Sequence, residues 1–404
     1  MTSRLPAWAL AALPAAACLS TPSYKPEAAV AYTEEGTGQA AGARVTAPGF
    51  ALHFAAGTGF HFPDQLAIDD TPNVLGQDTT AKCFDENEAG FQLSPSYRIS
   101  GDSGEPGTSI TRNELHPVLR GPAVVQVELD WAMRLGTSQH TTSGASTFTV
   151  FLDGRIVRHD KLLDAGMPAA HVGDCQCLPG TGDNFNISSY WTFSRNALPS
   201  LFAPGPVAGP LPLPDVNGEP SACFSGASYQ VATAFRAPAS EIDTDLLSIR
   251  DTGSMLKYIH FNAIGATQLD GLSWEDRSAL FIERSDCPRA ENRAKEYLDP
   301  PPLTINDASV MPSENDGIYG GDPGNGSPGL ALGTNRAVIT GRLVSAFAVW
   351  LQFKSSVDLL RATRTGGPSP TGPWYIPQQV DSRTWIVWFR DPLADLQTIV
   401  IEPN

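Results

Sequence analysis

The chain has 404 residues, with 43 Asp and Glu against 27 Lys and Arg and a formal net charge of −16. This acidic balance argues against nucleic acid or an anionic lipid surface as the main partner. The 37 glycines and 34 prolines, beside only 17% charged residues, are typical of loop-rich proteins and fit poorly with a helical bundle. The length exceeds the usual size of a single core, so we expect one large or two medium domains.

The N-terminus is typical of an export signal. Arg4 precedes an apolar run at residues 5–17, which at about thirteen residues is too short to span a bilayer. Three alanines end the run and Cys18 follows them directly, an arrangement that resembles a bacterial lipobox. We therefore predict a signal peptide over residues 1–18, lipidation at Cys18, and an extracytoplasmic protein that contacts the membrane only through its lipid. Ordinary cleavage after the same alanines, which would give a secreted protein, is the alternative.

The rest of the chain divides by composition into three parts. Residues 19–46 lack apolar periodicity and are rich in Ala, Gly, Thr, Glu and Pro, which predicts a flexible tether. We assign residues 47–235 to a β-sandwich domain and residues 236–404 to a second β-rich domain with one short helix. The boundary follows a strand-like run at 229–235; a boundary near 210 and a single large sandwich with long insertions are the alternatives.

Short runs of β-branched and aromatic residues recur along the body. The clearest pair is 147–152 and 155–158, joined by Asp153-Gly154, because an Asp-Gly pair favours the tight turn of a hairpin. Residues 123–131 alternate apolar and polar side chains, as in a half-buried strand. Further runs lie at 190–193, 229–235, 337–340, 346–353, 384–389 and 398–401. The pattern predicts a mainly β fold of antiparallel, jelly-roll-like β-sandwich domains with minor helix.

Helix is predicted in two places only. Residues 288–298 have Asp286 or Ser285 as a cap and a proline in the first turn, and the prolines within 299–302 prevent continuation. A shorter and weaker pattern lies at 241–249.

Five cysteines follow the signal region. In an oxidising compartment they allow two disulfides and one remaining thiol. We expect one bridge from Cys83 to either Cys175 or Cys177, and a second between Cys223 and Cys287.

The sequence contains no intact catalytic signature. Phosphate-binding glycine patterns and paired-histidine zinc spacings are absent. Residues 101–104, Gly-Asp-Ser-Gly, resemble the nucleophile loop of trypsin-like serine proteases, but too little chain precedes them for the two barrels that would hold the catalytic His and Asp. For His159-Asp160, we expect a surface His beside a solvated Asp, with the two side chains on opposite faces of a strand. Acids such as Asp130 and Glu275 cannot be distinguished from surface acids by sequence.

Two long stretches, 198–220 and 300–333, are rich in Pro and Gly and are either linkers or functional surface loops. Asp and Asn side chains in such regions offer the oxygen ligands that Ca²⁺ prefers, although the same residues are ordinary turn formers. Ca²⁺ is thus the only cofactor that the sequence indicates. The candidate ligands are Asp183, Asn186, Asp316 and Asp322.

Aromatic side chains give the only indication of a ligand. Trp374 and Tyr375 stand between Pro residues in a loop, where exposed rings could stack on sugars, whereas tryptophans in alternating strands favour the core. The sequence therefore predicts an exported envelope lipoprotein, acting as a non-catalytic binding or structural module for glycan or an envelope protein. The alternative is an extracellular polysaccharide hydrolase or lyase. A concave groove with converging carboxylates, His and Arg would favour the polysaccharide enzyme. A flat aromatic patch would favour the non-catalytic binding module.

Lipidation at Cys18 makes the first testable prediction. Cells that express the full chain should incorporate labelled palmitate into it, and Cys18→Ala should abolish the label because the acceptor thiol is gone. Cys223→Ser, which removes a different cysteine, serves as the control and should keep the label. Equal labelling of the Cys18→Ala variant would contradict lipidation at this site.

Overall fold

The computed structural model describes residues 29–36, 41–55, 63–75, 77–78, 88–89, 91–96, 109–134, 141–164, 184–202, 211–212, 221–236, 244–251, 255–265, 274–367 and 373–404. Cys18, the cysteines of the first expected bridge, residues 101–104 and Asp183 lie outside these ranges. Among the described residues, no helix is long and apolar enough to cross a membrane.

The described residues form 28 strands and one α-helix, which confirms the mainly β fold. In chain order they are β1 (Ala31–Glu35), β2 (Gly42–Ala47), β3 (Phe50–Phe54), β4 (Pro63–Ile68), β5 (Gln77–Asp78), β6 (Glu88–Ala89), β7 (Phe91–Ser96), β8 (Ser109–Arg120), β9 (Val124–Arg134), β10 (Thr141–Phe151), β11 (Arg155–Asp164), β12 (Asn184–Ser194), β13 (Ser200–Phe202), β14 (Leu211–Pro212), β15 (Ser221–Ser225), β16 (Gln230–Arg236), β17 (Thr244–Asp251), β18 (Met255–Gly265), β19 (Trp274–Glu283), α1 (Cys287–Leu298), β20 (Leu303–Ile305), β21 (Ala308–Val310), β22 (Leu330–Ala331), β23 (Ala337–Thr340), β24 (Phe347–Gln352), β25 (Leu360–Thr365), β26 (Tyr375–Gln379), β27 (Thr384–Phe389) and β28 (Thr398–Pro403).

Local signals account for the best-predicted elements. The hairpin β10–β11 turns at Asp153-Gly154, where Gly154 has a φ of +81° that an L side chain rarely adopts. The helix α1 begins after Asp286, whose side chain accepts a hydrogen bond from the Arg289 amide at 3.0 Å. It ends at Leu298, just before the prolines.

An antiparallel eight-stranded sheet is the centre of the fold. Its strand order is β13-β15-β16-β19-β11-β10-β9-β8. The inner face packs on a core shared with the N-terminal sheet β1-β2-β3-β4 and with Trp191 and Phe193 of β12. Strand β12 belongs to a five-stranded sheet with the order β14-β17-β18-β12-β7.

The outer face of the eight-stranded sheet is covered at one end. Here α1 and one face of the sheet β22-β24-β27-β26 pack on the small and apolar side chains of β11, β16 and β19. The opposite face of β24 and β27 packs on the sheet β21-β20-β23-β28-β25, which completes a C-terminal sandwich. Gln378 joins the two bodies, because its Oε1 accepts hydrogen bonds from the amides of Ala123 and Val124 at 3.0 and 2.9 Å.

The structure differs from the predicted organisation in three places. Strand β1 lies within the predicted tether 19–46 and β2 begins there, because Ala43 and Val45 alternate into the core in a stretch whose composition hides this pattern. Residues 244–249 of the helix predicted at 241–249 belong to strand β17, whose pairing with β18 overrides a weak local preference. Strands β17–β19 join sheets of the first sandwich, so the predicted boundary at 236 falls inside that sandwich.

The expected bridge between Cys223 and Cys287 is present, with 5.8 Å between the Cα atoms. It ties β15 to the first turn of α1 across 64 residues of chain. Replacing both cysteines with alanine should lower the free energy of unfolding by about 2–5 kcal/mol, because the unfolded chain loses a constraint. Urea unfolding of the oxidised protein and the double variant measures the difference. Equal unfolding midpoints and slopes would contradict a structural role for the bridge.

Candidate functional site

The uncovered end of the outer sheet face carries a row of polar side chains that crosses five strands. In register, His116 of β8 pairs with Glu128 of β9, and Glu128 pairs with Thr147 of β10. Thr147 pairs in turn with His159 of β11, and His159 with Arg277 of β19. Since directly paired residues share a face, these five side chains stand side by side.

A second row runs parallel to the first, one step further from the covered end. Glu114 pairs with Asp130, Asp130 with Ala145, Ala145 with Lys161, and Lys161 with Glu275. Five strands spaced by roughly 4.8 Å make each row about 20 Å long.

Between the ends of the two rows the sheet face is hollow. The central strand contributes only the small side chains of Ala145 and Thr147, so the floor is lower than the walls on either side. A cavity of about 190 Å³ lies here, and a C-terminal loop also lines it with Asn315, Asp322 and Gly324, which we call the roof. We call this cavity the groove; its lining comprises Gln126, Glu128, Asp130, Ala145, Thr147, His159, Lys161, Leu163, Asn315, Asp322 and Gly324.

One wall of the groove is a chain of ion pairs and hydrogen bonds. His159 Nε2 lies 3.3 Å from Glu275 Oε2, and Arg277 Nη2 donates to the same oxygen at 2.6 Å. The hydrogen bond with His159 is the main cause that lowers the pKa of Glu275, to about 2, and the charges of His159, Lys161 and Arg277 also lower it. Arg277 Nε also donates to Asn315 Oδ1 at 2.9 Å, which fixes this wall to the roof.

The facing wall is acidic. Asp130 accepts a hydrogen bond from Arg112 Nη2 at 2.6 Å, whereas the half-buried carboxyl of Glu128 has no hydrogen bond to a described residue. Burial raises the pKa of Glu128, and the neighbouring charge of Asp130 raises it further. The two walls thus hold carboxyl groups whose proton affinities are shifted in opposite directions.

A cluster of three side chains lies at the outer end of this wall. The carboxylate oxygens of Glu114 and Asp130 and an imidazole nitrogen of His116 lie within 4.8 Å of one another. The Arg112 guanidinium lies between the two acids, 2.6 Å from Asp130 and 3.4 Å from Glu114. An arginine therefore supplies the positive charge of this cluster.

The roof brings together two of the four predicted calcium ligands. Asp316 is fully buried and accepts a hydrogen bond from the Ile318 amide at 2.9 Å; Asp322 accepts one from Asn315 Nδ2 at 2.7 Å. Burial raises the pKa of Asp316 well above its usual range, and the charge of Asp322 adds to this effect. Asn186 lies on β12 in a different sheet. Binding of Ca²⁺ stays a prediction.

The predicted aromatic pair lies on the C-terminal sandwich and is not part of the groove lining. Trp374 and Tyr375 are half-buried, with ring centroids 5.2 Å apart in an edge-to-face arrangement. Trp374 also packs on Phe389 at 5.7 Å. Their role in glycan contact stays a prediction.

The expectation of a surface His159 and a solvated Asp160 was wrong. The two side chains do point to opposite faces, but His159 is 4% and Asp160 1% exposed. Asp160 pairs inside the sandwich with Arg158, whose Nε lies 2.7 Å away. Burial raises the pKa of Asp160, and the Arg158 charge opposes this effect. Sequence alone could not reveal this burial, because β11 becomes a central strand only through its pairing with the distant β19.

No known protein family matches the chain, and no curated protein matches it either. Among solved structures, it is similar to heparinase III, with 8% sequence identity and a TM-score of 0.28 over 69% of this chain and 38% of that one. It is also similar to the heparan sulfate lyase HepC from Pedobacter heparinus, with 9% identity and a TM-score of 0.28 over 77% and 39% of the two chains. The chain thus spans less than half the length of these structures, and at such TM-scores we base its function on its own site.

The wall at Glu275 predicts a pH-dependent contribution to stability. Glu275→Gln should lower the free energy of unfolding at neutral pH by about 1 kcal/mol, since solvent screens this half-exposed carboxylate. The folded pKa of Glu275 is about 2 against an ordinary 4.5. The difference between wild type and variant should therefore be full above pH 4.5 and shrink as pH falls toward 2.

Urea unfolding from pH 7 to pH 3 measures this difference. Glu402→Gln on β28, which removes the ion pair with Arg361 of β25, is the matched control for the loss of a carboxylate pair outside the groove. A Glu275→Gln deficit that stays constant down to pH 3 would contradict the assignment.

Proposed function

We propose that this is an exported protein that binds a neutral polysaccharide in the groove. The observation that carries the proposal is the pair of polar walls, on β9 and on β11, that flank the small-residue floor of β10. Such an arrangement offers a trough open along the sheet, with hydrogen-bonding groups on both sides and above. A linear chain of sugars has the shape and the density of hydroxyl groups to fill it.

The charges of the groove select against an acidic polymer. The two rows carry four carboxyl groups and Asp322 of the roof adds a fifth, against Lys161 and Arg277 of the rows and Arg112 beside them. All three cations already pair with acids of the protein, Arg112 with Asp130, and both Arg277 and Lys161 with Glu275. The whole chain also has a net charge of −16. Carboxylate, amide and imidazole groups all form hydrogen bonds with sugar hydroxyls, whereas a polyanion would meet repulsion.

The geometry favours a polysaccharide-acting enzyme over a purely binding module. Three acids line the concave groove together with His159 and Lys161, namely Glu128, Asp130 and Asp322. The aromatic pair Trp374 and Tyr375 is half-buried in its own sandwich. Concave sites with shifted pKa values are where catalytic groups concentrate.

Export forms part of the proposal. The N-terminal signal and Cys18 support a lipid-anchored envelope protein, and cleavage without lipidation would give a secreted one. The bridge between Cys223 and Cys287 supports an oxidising compartment, where such bonds persist. Extracellular or envelope polysaccharide is the partner that such a location provides.

The binding site can be located by filling the groove. Thr147→Trp should weaken binding of a neutral polysaccharide by at least tenfold, because the indole would occupy the low floor between the walls. Thr363→Trp, on an exposed position of β25, is the matched control and should bind as wild type does. Affinity electrophoresis in xylan, β-1,3-glucan, β-1,4-glucan and mannan gels, with hyaluronan and polygalacturonate as acidic polymers, measures binding.

The same assay tests the aromatic pair. Binding that survives Thr147→Trp but is lost in Trp374→Ala/Tyr375→Ala would move the site to the C-terminal sandwich. Binding to the acidic polymers alone would contradict the preference for a neutral chain.

A further inference from the structure

One acid of the groove differs from the others. Among the described residues, Glu128 is the only acidic side chain of the two rows and the roof that no hydrogen bond or ion pair engages. Asp130 is bound by Arg112, Glu275 by Arg277, and Asp322 by Asn315. Glu128 is half-buried and lines the cavity, and its burial raises the pKa of its carboxyl group, which favours a role as proton donor.

The facing wall presents a base. His159 lies two strands from Glu128, across Thr147, so the two Cα atoms are about 10 Å apart by strand spacing. Its imidazole is fixed by Glu275, with 3.3 Å between Nε2 and Oε2, and Glu275 is in turn fixed by Arg277. A base oriented by a carboxylate is the arrangement that general-base catalysis uses.

We propose that the groove hydrolyses a glycosidic bond of the bound polysaccharide, with Glu128 as general acid and His159 as general base. This inference rests on the proposed function, because it needs the chain to lie over Thr147. The two groups stand on opposite sides of the floor, which leaves room for the sugar and for a water molecule between them, as direct displacement by water requires.

The step balances with water as the only co-reactant. The water oxygen forms a bond to the anomeric carbon, and its proton passes to the imidazole of His159. The bond from that carbon to the glycosidic oxygen breaks, and the leaving oxygen takes the proton of Glu128. Glu128 ends as a carboxylate and His159 as an imidazolium, and exchange with solvent restores both. Attack from the side opposite the leaving group inverts the anomeric configuration.

The charges around both groups suit these roles. The acids Asp130 and Asp322 line the cavity together with Glu128, and Lys161 lines the opposite wall. The charges of His116 and Arg112 also act on Glu128. Burial raises the pKa of Glu128, which keeps the proton available at higher pH than for an exposed glutamate. His159 faces Glu275, Lys161 and Arg277 on its own wall, and the carboxylate stabilises the imidazolium that forms.

The test uses the mature chain and the neutral polymers of the binding assay. New reducing ends measure cleavage, and affinity electrophoresis of the same samples measures binding. Glu128→Gln keeps the size of the side chain but cannot donate an acidic proton, so cleavage should fall at least 100-fold while affinity changes less than threefold. His159→Gln should show the same split. Glu34→Gln, an exposed acid of β1 outside the groove, should cleave as wild type does.

The pH profile tests the role of Glu128. Wild-type cleavage should have an alkaline limb on which activity falls, because base removes the proton of Glu128. The residual activity of Glu128→Gln should lose the alkaline limb. This readout does not depend on whether His159→Gln folds.

The results of these assays distinguish failure of the hydrolysis mechanism from failure of the proposed binding function. A polymer bound but not cleaved by wild type would overturn hydrolysis and leave the binding function standing. No binding and no cleavage would overturn both. Cleavage that survives Glu128→Gln, or that yields unsaturated, ultraviolet-absorbing ends instead of inverted reducing ends, would also overturn the inference.

Discussion

The groove depends on one constraint: the C-terminal sandwich and α1 cover only one end of the outer face of the eight-stranded sheet. Along β9 and β11 the outward residues change from Val124 and Val157, which are buried against that cover, to Glu128 and His159 beyond it. If the apolar cover extended over the charged rows, it would remove their carboxylates from water. Each unpaired charge would then destabilise the fold by several kcal/mol, on the order of the desolvation penalty. The sheet is therefore a core layer at one end and a polar surface at the other, and the site lies at this transition.

Electrostatic compensation then determines what the groove can do. Arg277 and His159 contact Glu275, Arg112 binds Asp130, and the roof is fixed through Asn315. These contacts order the walls and engage most of their charged groups. What remains is the carboxyl group of Glu128, whose pKa is raised by burial, facing an oriented imidazole across a small-residue floor. Proton-transfer catalysis needs a proton donor and a proton acceptor held in fixed positions, and here both side chains stand on strands of one sheet.

Sequence was sufficient where the determinants are local. The turn at Asp153-Gly154 and the cap at Asp286 predicted the hairpin and the helix, and the bridge between Cys223 and Cys287 was also expected. The site was not predicted, because it depends on pairing between distant segments. Lys161 meets Glu275 only when β11 pairs with β19, more than a hundred residues later, and no local pattern encodes that choice. The loop at 300–333, expected to be a linker or a functional loop, supplies the roof.

The central claim is that a sugar chain lies along β10 between Glu128 and His159. The most direct measurement is a crystal structure of the Glu128→Gln variant soaked with an oligosaccharide of the neutral polymer that binds best. Our account predicts a glycosidic oxygen within hydrogen-bond distance of residue 128 and sugar rings above Ala145 and Thr147, beneath Asn315 and Asp322. An oligosaccharide bound at Trp374 and Tyr375 with the groove unfilled would contradict it.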